Sequence, residues 1–433
     1  MGIKKMATPQ STPPKTPVDK SPRRKGLTLS NDQVEVWEKL LLNFRKKPDK
    51  RTEITPAQRL QLIRKTLQDA SADVQALWDI YTKDRDQIHR ALSEPKRQRS
   101  AYLAGFHLAN VARSTALFER FVSRWSDSSW QTLFKAKSRQ GFDVLDLGCG
   151  TGAFSHAFAH FLKLHGLDSS GHQWFLQDQT ATYIEAAAAG LLESGVSEAS
   201  IRSVRGDVAQ WQGSKGKLPL KDDLTRPLIV LMGNITNEII KLPRILQAWQ
   251  NLIKHFASLS RPVLIFSIEP VSNGFAMEMM KLRDQWVDDL QLKTIYPCPT
   301  RSDACPLLAR NDTRKDYCYS EFNWDPPHHF EVFCKILGLE RHNLASSAYV
   351  FANRAASEHL VAKASPDTVV VGRPTMKTTK VAPVRRGKSA AAAKTPEASS
   401  PQEFDYLLCK GDRVERLQRK SLDSGLKLRG ECL

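Results

Sequence analysis

The stretch Asp146-Leu-Gly148-Cys-Gly150-Thr-Gly152 constrains this chain more than any other. It follows the apolar run Val144 to Leu147 and leads into the helical pattern that opens at Ala153. Glycine at every second position permits backbone angles and a close approach that a Cβ forbids, so a ligand can lie directly over the turn. Short apolar strands then alternate with helical stretches at KLHGLD, SVRGD, PLIVLMGN and PVLIFSIEP, and SSAYVFANR reads as a closing strand. Such alternation predicts an α/β fold over residues 138–355, a parallel sheet with helices on both faces.

Upstream, apolar residues recur at helical spacing: Val34, Trp37, Leu40, Leu41 and Phe44, then Leu60, Leu62, Ile63 and Leu67. Further runs cover Val74 to Ile88 and Tyr102 to Trp125. The pattern predicts four helices, the second starting at Thr55-Pro56 with threonine as N-cap and proline at the first helical position. Residues 31–137 read as an all-helical N-terminal domain. A hydrophobic content of 41% in 433 residues is enough for a buried core.

The chain carries a net charge of +18, of which residues 1–30 hold +6 and residues 361–433 hold +7. The stretch MGIKKMATPQSTPPKTPVDKSPRRKG has almost nothing apolar to offset its ordering entropy, so residues 1–30 read as a disordered basic tail. Residues 356–433 read as a basic C-terminal extension, with a linker over 375–403 before the strand-like FDYLLCKG. Basic ends either confer solubility or contact a polyphosphate surface by counterion release. RNA is favoured over a membrane, because no amphipathic helix with a bulky apolar face accompanies the charge. Pro9, Pro13, Pro14, Pro17 and Pro22 oppose an amphipathic mitochondrial targeting helix. No window approaches the ~20 apolar residues of a membrane span, and no secretory apolar region opens the chain, which reads as soluble and intracellular.

Seven cysteines without a secretion signal point to thiol or metal chemistry rather than a disulfide framework. Cys298, Cys305 and Cys318 fall in one loop, 296–322, with prolines beside two of them. Thiolates withdrawn from water need a cation to stay deprotonated, so a bound metal explains the group. The spacings C-x6-C and C-x12-C match no zinc finger or ribbon and are compatible with an iron-sulfur cluster on an irregular loop. Of the remaining cysteines, Cys334 lies on an apolar helical face and reads as core. Cys149 is inside the glycine turn and Cys432 is near the C-terminal end, which leaves Cys409 as the fourth ligand. Closing the long loop to it costs only about 0.6 kcal/mol per doubling of length, against about 10 kcal/mol from metal binding. His328 and His329 stay open as nitrogen ligands, and zinc as the alternative metal.

The order G-x-G-x-G after an acidic residue differs from the dinucleotide-binding G-x-G-x-x-G and resembles motif I of class I S-adenosylmethionine-dependent methyltransferases. That resemblance implies a class I, Rossmann-like sheet with S-adenosylmethionine over Asp146, Gly148, Gly150 and Gly152. It places Asp168, at the expected end of the second strand, on the ribose hydroxyls. Asp207, after the third strand, falls on the adenine amine, and Asn234, after the fourth, on the methyl-transfer face. The turn Gly233-Asn-Ile-Thr-Asn237 lacks the Asp/Asn-Pro-Pro-aromatic motif with which amino methyltransferases polarise an exocyclic amine. No base or nucleophile is identifiable, so binding is better supported than catalysis.

Motif I, the segment Glu269-Pro270-Val-Ser-Asn-Gly274, and then Pro-Cys-Pro, Cys-Pro-Leu and Cys-Tyr-Ser-Glu-Phe together resemble one family. It is the methyltransferase-like family of the small ribosomal subunit, whose mitochondrial members include methyltransferase-like protein 17 and which has bacterial relatives. The likeness runs over residues 98–355 and returns at Val370 to Pro374 and Tyr406 to Cys409. It implies a [4Fe-4S] cluster on Cys298, Cys305, Cys318 and Cys409. It further implies a monomeric factor that binds small-subunit ribosomal RNA beside ribosomal proteins in assembly or early translation, on ribosomes of the cytoplasm or of the mitochondrial matrix. An active ribosomal RNA methyltransferase and a zinc-stapled RNA-binding protein are the alternatives. Thr300 and Tyr319 stand where family members often carry histidine, whereas motif I, often degraded in the family, is intact here.

Overall fold

The computed structural model describes residues 26–44, 55–83, 94–135, 141–167, 171–208, 226–240, 242–271, 274–298, 304–309, 317–339, 341–361, 369–376, 404–409 and 414–419. Most of the expected basic tail, residues 1–25, and most of the expected linker, residues 377–403, lie outside the described residues. Residues 26–30 lie inside them. Leu29 is buried, Leu27 bridges Trp324, and the Ser30 hydroxyl accepts the Gln33 N–H while the Gln33 side chain accepts the Ser30 N–H. Two leucines supply the apolar surface that the preceding stretch lacks, and the capping box starts the first helix.

Among the described residues five helices precede the sheet: α1 (Asn31–Asn43), α2 (Pro56–Lys83), α3 (Pro95–Tyr102), α4 (Leu108–Arg124) and α5 (Asp127–Lys135). A π-helical turn, Leu103–His107, joins α3 to α4 without a break. The apolar runs at Leu60 and Val74 belong to one helix rather than two. Ile63, Leu67, Ala70, Val74 and Leu77 are all buried and recur every three or four residues, with no glycine or proline to interrupt α2 after Pro56.

The sheet region follows as β1 (Asp143–Leu147), α6 (Ala153–Leu164), β2 (Gln173–Asp178), α7 (Ala181–Glu193), β3 (Ile201–Arg205), β4 (Leu228–Gly233), α8 (Thr236–Ile239), α9 (Pro243–Ser258) and β5 (Val263–Glu269). It continues through α10 (Phe275–Asp288), β6 (Lys293–Tyr296), β7 (Ser320–Asn323), α11 (His328–Ile336), β8 (Asn343–Ala352) and α12 (Arg354–Ser357). The strand order is β3-β2-β1-β4-β5-β8-β6, with β7 on β8. β1 to β5 pair in parallel, and β8 runs antiparallel between β5 and β6. This is the mostly parallel α/β sheet that the strand and helix alternation predicts. β1 and β5 are buried along their whole length, as strands covered on both faces must be.

One core packs α1 to α7 against the first face of the sheet, through Trp37, Phe118, Phe121, Phe158, Trp174 and Phe266. The other face is closed by α9 and α10, through Trp249, Phe256, Met279 and Trp286. From β1 the chain builds outward to β2 and β3, then returns to place β4 on the opposite side of β1. The order therefore reverses between β1 and β4, and a crevice opens at their carboxyl ends.

The second strand departs from expectation. KLHGLD ends α6 instead of forming a strand: Gly166 takes φ +61°, and the N–H groups of Gly166 and Leu167 return to the carbonyls of Lys163 and Leu162. Glycine is the residue that adopts this left-handed helix stop without strain, so the chain turns before it can pair with β1. Asp168 lies outside the described residues, and the strand registered on β1 is Gln173–Asp178.

Beyond residue 361, β9 (Val369–Met376), β10 (Phe404–Cys409) and β11 (Val414–Arg419) form an antiparallel sheet in which Cys409 pairs with Val369 and Val414. Among the described residues no helix is long and apolar enough to cross a membrane.

Candidate functional site

Gly148, Gly150 and Gly152 all take positive φ, at +60°, +51° and +80°. At Gly152 a Cβ would stand 2.6 Å from the Cα of Ala187, so the absent side chain lets α6 settle on α7. At Gly150 nothing lies within 4 Å of the Cβ position, and the space over the turn is open. The carboxylate of Asp178, the last residue of β2, accepts the Gly150 N–H at 3.0 Å and the Thr180 N–H at 2.8 Å. Gln177 accepts the Gly148 N–H at 3.0 Å, and its amide donates to the carbonyl of Gly206. Asp178 thus holds the strand-end position expected of Asp168. Sequence reasoning missed it because the strand was placed too early, although the alternation in Gln-Trp-Phe-Leu-Gln-Asp was there to read.

Asp146 is fully buried, and its Oδ2 accepts the Ser155 hydroxyl at 2.6 Å. Burial pushes its carboxyl up to about 7. Asp207 follows β3 directly and is half-buried. Asn234, at φ +58°, ends β4; its N–H donates to the Ile268 carbonyl at 2.8 Å and its own carbonyl accepts the Asn237 amide at 2.7 Å. Glu269 stands behind this turn, completely buried, accepting the Thr236 N–H at 2.8 Å and the Asn237 amide at 2.9 Å. Its desolvation also pushes its carboxyl up to about 7, against those hydrogen bonds.

The cleft at the switch point brings Asp146, Gly150 and Asn234 together with Tyr102, Asn110 and Ser114 of the helical segment. These last three were legible only as part of an apolar helical run. Tyr102 is oriented by the Asn110 amide, which donates to its hydroxyl at 2.9 Å, and Asn110 in turn accepts from Arg113 at 2.7 Å. Arg113 is pushed down to about 10, first by burial and then by Arg341. The π-helical turn between Tyr102 and Asn110 re-aims successive side chains, as such turns do at functional sites, and Gly105 within it was the available sequence signal.

Among solved structures, a TehB-like SAM-dependent methyltransferase from Corynebacterium glutamicum matches at 17% identity and TM-score 0.23, over 38% of this chain and 73% of that one. An O-methyltransferase family protein from Burkholderia thailandensis matches at 14% identity and TM-score 0.33, over 66% and 71%. A ribosomal protein L11 methylase from Lactobacillus delbrueckii subsp. bulgaricus matches at 13% identity and TM-score 0.23, over 38% and 67%. No protein-family model and no curated protein sequence matches the chain. The fold assignment rests on the strand order and registers given above.

A second group of side chains gathers against α10, at Met280 and Asp284. Cys318 is surrounded by Cys298, Cys305 and Cys409: burial first, then these three thiols, hold its own thiol well above the usual value. Cys305 is pushed up to about 12 by burial and then by Cys298. Burial also raises Cys298, against the lowering pull of the neighbouring Arg283. The loop is fastened from several sides. Arg124, at the end of α4, donates to the Cys298 carbonyl at 3.1 Å, and the Cys305 N–H donates to the Asp284 carboxylate at 3.0 Å. The Cys318 N–H points at the Met280 sulfur, 3.2 Å away, and Ser347 donates to the Cys318 carbonyl at 3.1 Å. Among the described residues no set of three or more His, Cys, Asp or Glu groups is arranged to hold a single metal ion. His329 stacks on Trp37 with ring centroids 5.4 Å apart and faces Glu38 at 3.4 Å, which removes it from the thiols. Cys334 is buried in the core that Phe330 and Phe333 share with the helical segment.

Proposed function

We propose that this chain binds S-adenosylmethionine over its glycine turn and acts as a small-subunit ribosomal RNA-binding factor in ribosome assembly or translation. The observation that carries the cofactor reading is the open space over Gly150 at the switch point, beside the carboxylate of Asp178 and under Tyr102 and Asn110. The residues fit the group: a cradle that a Cβ would fill, a carboxylate at the end of β2 for ribose hydroxyls, and Asp207 after β3 for an adenine amine. Bound there, the cofactor would supply an electrophilic methyl group. The chain's own residues bind and orient it, and Asn234, whose carbonyl accepts the Asn237 amide that also donates to Glu269, shapes the wall on the acceptor side. The sequence identifies no general base for the cleft, so binding without turnover leads over active ribosomal RNA methylation.

Four converging thiols, three of them shifted upward by burial, form a donor set suited to a group that supplies the missing positive charge. A [4Fe-4S] cluster on Cys298, Cys305, Cys318 and Cys409 is the reading that the family resemblance supports, with a zinc ion as the alternative. The RNA partner is supported by the +6 and +7 charges at the two ends and by the family resemblance.

Calorimetric titration of the full chain with S-adenosylmethionine tests the first reading, and the expected result is saturable binding. Incubation of labelled cofactor with small-subunit precursor particles is expected to give no methyl incorporation. Incorporation that disappears in Asp178→Asn would replace the binding role with an enzymatic one.

A further inference from the structure

Two hydroxyl groups of the helical segment line the cofactor cleft with a proton to give. Arg113 can only donate, and its donation to the Asn110 Oδ1 at 2.7 Å fixes which way the Asn110 amide lies. The Asn110 Nδ2 therefore donates to the Tyr102 oxygen at 2.9 Å. An amide nitrogen accepts no proton in return, so the Tyr102 O–H is left to donate elsewhere. Ser114, one turn beyond Asn110 on α4, is 3% exposed, and its hydroxyl has no hydrogen-bond partner among the described residues. A buried hydroxyl left unpaired is costly, and a ligand atom that meets it recovers the cost. The opposite wall is the start of α6, a helix of 12 residues, where Thr151, Ala153 and Phe154 line the same cleft. The first N–H groups of a helix have no partner inside it and favour an anion. Asp146 shares this wall, but its Oδ2 is already taken by the Ser155 hydroxyl at 2.6 Å.

We infer that Tyr102 and Ser114 bind the carboxylate of the cofactor's amino-acid end and hold it against the N-terminus of α6, an assignment that rests on the S-adenosylmethionine reading and names its specificity. The cavity between the two walls is about 40 Å³. A water takes about 30 Å³, so one small polar group enters and a nucleobase or a phosphate ester does not. The larger adenosyl part has its room outside, over Gly150, where nothing lies within 4 Å of the Cβ position. Of the cofactor's polar groups, the sulfonium and the ammonium are cations that a helix N-terminus repels. The carboxylate is its one anion, and its two oxygens can accept both hydroxyl protons at once. The donors are aimed before the ligand arrives: Arg113 also donates to the Ala345 carbonyl of β8 at 3.3 Å, which ties Tyr102, through Asn110, to the sheet. The helical segment thus selects among adenosyl compounds by whether they carry a free carboxylate.

The test is calorimetric titration of the full chain and of its Tyr102→Phe and Ser114→Ala variants with two compounds, S-adenosylmethionine and decarboxylated S-adenosylmethionine. The second keeps the adenosine, the sulfonium and the ammonium and lacks only the carboxylate. Wild type is expected to bind it at least about tenfold more weakly than S-adenosylmethionine. Each variant is expected to lose about tenfold in affinity for S-adenosylmethionine and to bind the decarboxylated compound as wild type does, with an unchanged circular dichroism spectrum. The assignment is overturned, and the cofactor reading left standing, if wild type binds the two compounds equally, if both variants bind S-adenosylmethionine normally, or if they lose affinity for both compounds in parallel. Failure of wild type to bind either compound overturns both.

Discussion

The Gly150 N–H donates to the carboxylate of Asp178 at 3.0 Å, so the centre of the glycine turn is tied to the end of β2, twenty-eight residues away in sequence. The same carboxylate accepts the Thr180 N–H, at the entry to α7. Asp178 therefore sets the path of the chain on both sides of the cleft as well as its charge.

Asp178→Asn keeps the size of the side chain and removes the charge that the two N–H donors meet. Each of its two oxygens accepts one N–H, and an amide nitrogen cannot accept, so one donor is left unmatched and urea unfolding is expected to show a loss of about 1–3 kcal/mol. S-adenosylmethionine affinity, measured by calorimetry, is expected to fall by at least about tenfold. An Asp207→Asn variant, altered at a half-buried position outside the turn, is expected to lose affinity without a comparable loss of stability.

Gly152 and Gly166 separate two costs that a glycine turn can hide. Both have positive φ, +80° and +61°, but a Cβ at Gly152 would press within 2.6 Å of the Ala187 backbone, while nothing stands within 4 Å at Gly166. Gly166→Ala is expected to cost about 1–2 kcal/mol, the left-handed backbone penalty alone. Gly152→Ala adds overpacking between α6 and α7, for a total of about 2–5 kcal/mol in urea unfolding.

Most of the sheet was legible in the sequence because its central strands are rich in Val, Leu and Ile and are bounded by glycine or proline. Leu228 to Gly233 and Val263 to Glu269 fall where they were expected. The second strand was not, for Leu164 and Leu167 ahead of Asp168 read as a short strand, and only the glycine stop at Gly166 shows that KLHGL ends a helix. The thiol positions were legible because cysteine is scarce and chemically distinct. Tyr102, Asn110 and Ser114 were hidden for the opposite reason: helical periodicity assigns them a face but cannot say that this face overhangs a ligand cleft. Nor could it show His107 and His156, forty-nine residues apart in sequence, meeting at 3.3 Å.

Glu269 gives a pH signature. Its folded value of about 7 stands above the ordinary 4.5, because burial disfavours its charge. A raised carboxyl contributes stability that is complete below about pH 4.5 and lost as pH rises to about 7, by about 2–3 kcal/mol. His107, pushed down to about 3 by burial, acts with the opposite sign over part of that window. The readout is therefore a difference. The stability gap between Glu269→Gln and wild type, from urea unfolding, is expected to change by about 2–3 kcal/mol between pH 5 and pH 7.5, the variant gaining relative to wild type as pH rises.

The thiol group can be dissected one sulfur at a time. Cys318 is partly buried beside three other thiols, and Cys409 reaches it from β10, a strand that follows the three loop cysteines by most of a hundred residues. If the four hold a [4Fe-4S] cluster, Cys409→Ser removes a ligand and the bridge between β10 and the loop together. Anaerobically purified Cys409→Ser is expected to lose iron, sulfide and visible absorbance and to melt at lower temperature than wild type. Cys334→Ser is the control: Cys334 sits in the core near Phe330 and Phe333, so the variant is expected to keep its metal and its colour while losing packing energy. Equal metal loss in both variants would remove Cys409 from the ligand set, and a colourless wild type carrying zinc would put a single ion in place of the cluster. Arg124→Met separates ligation from support, because Arg124 supplies no sulfur and meets this loop at the carbonyl of Cys298 and the ring of Tyr296. That variant is expected to retain a full complement of iron when fresh and to lose it faster than wild type under oxygen, as a loosened loop admits solvent to sulfurs that remain in place.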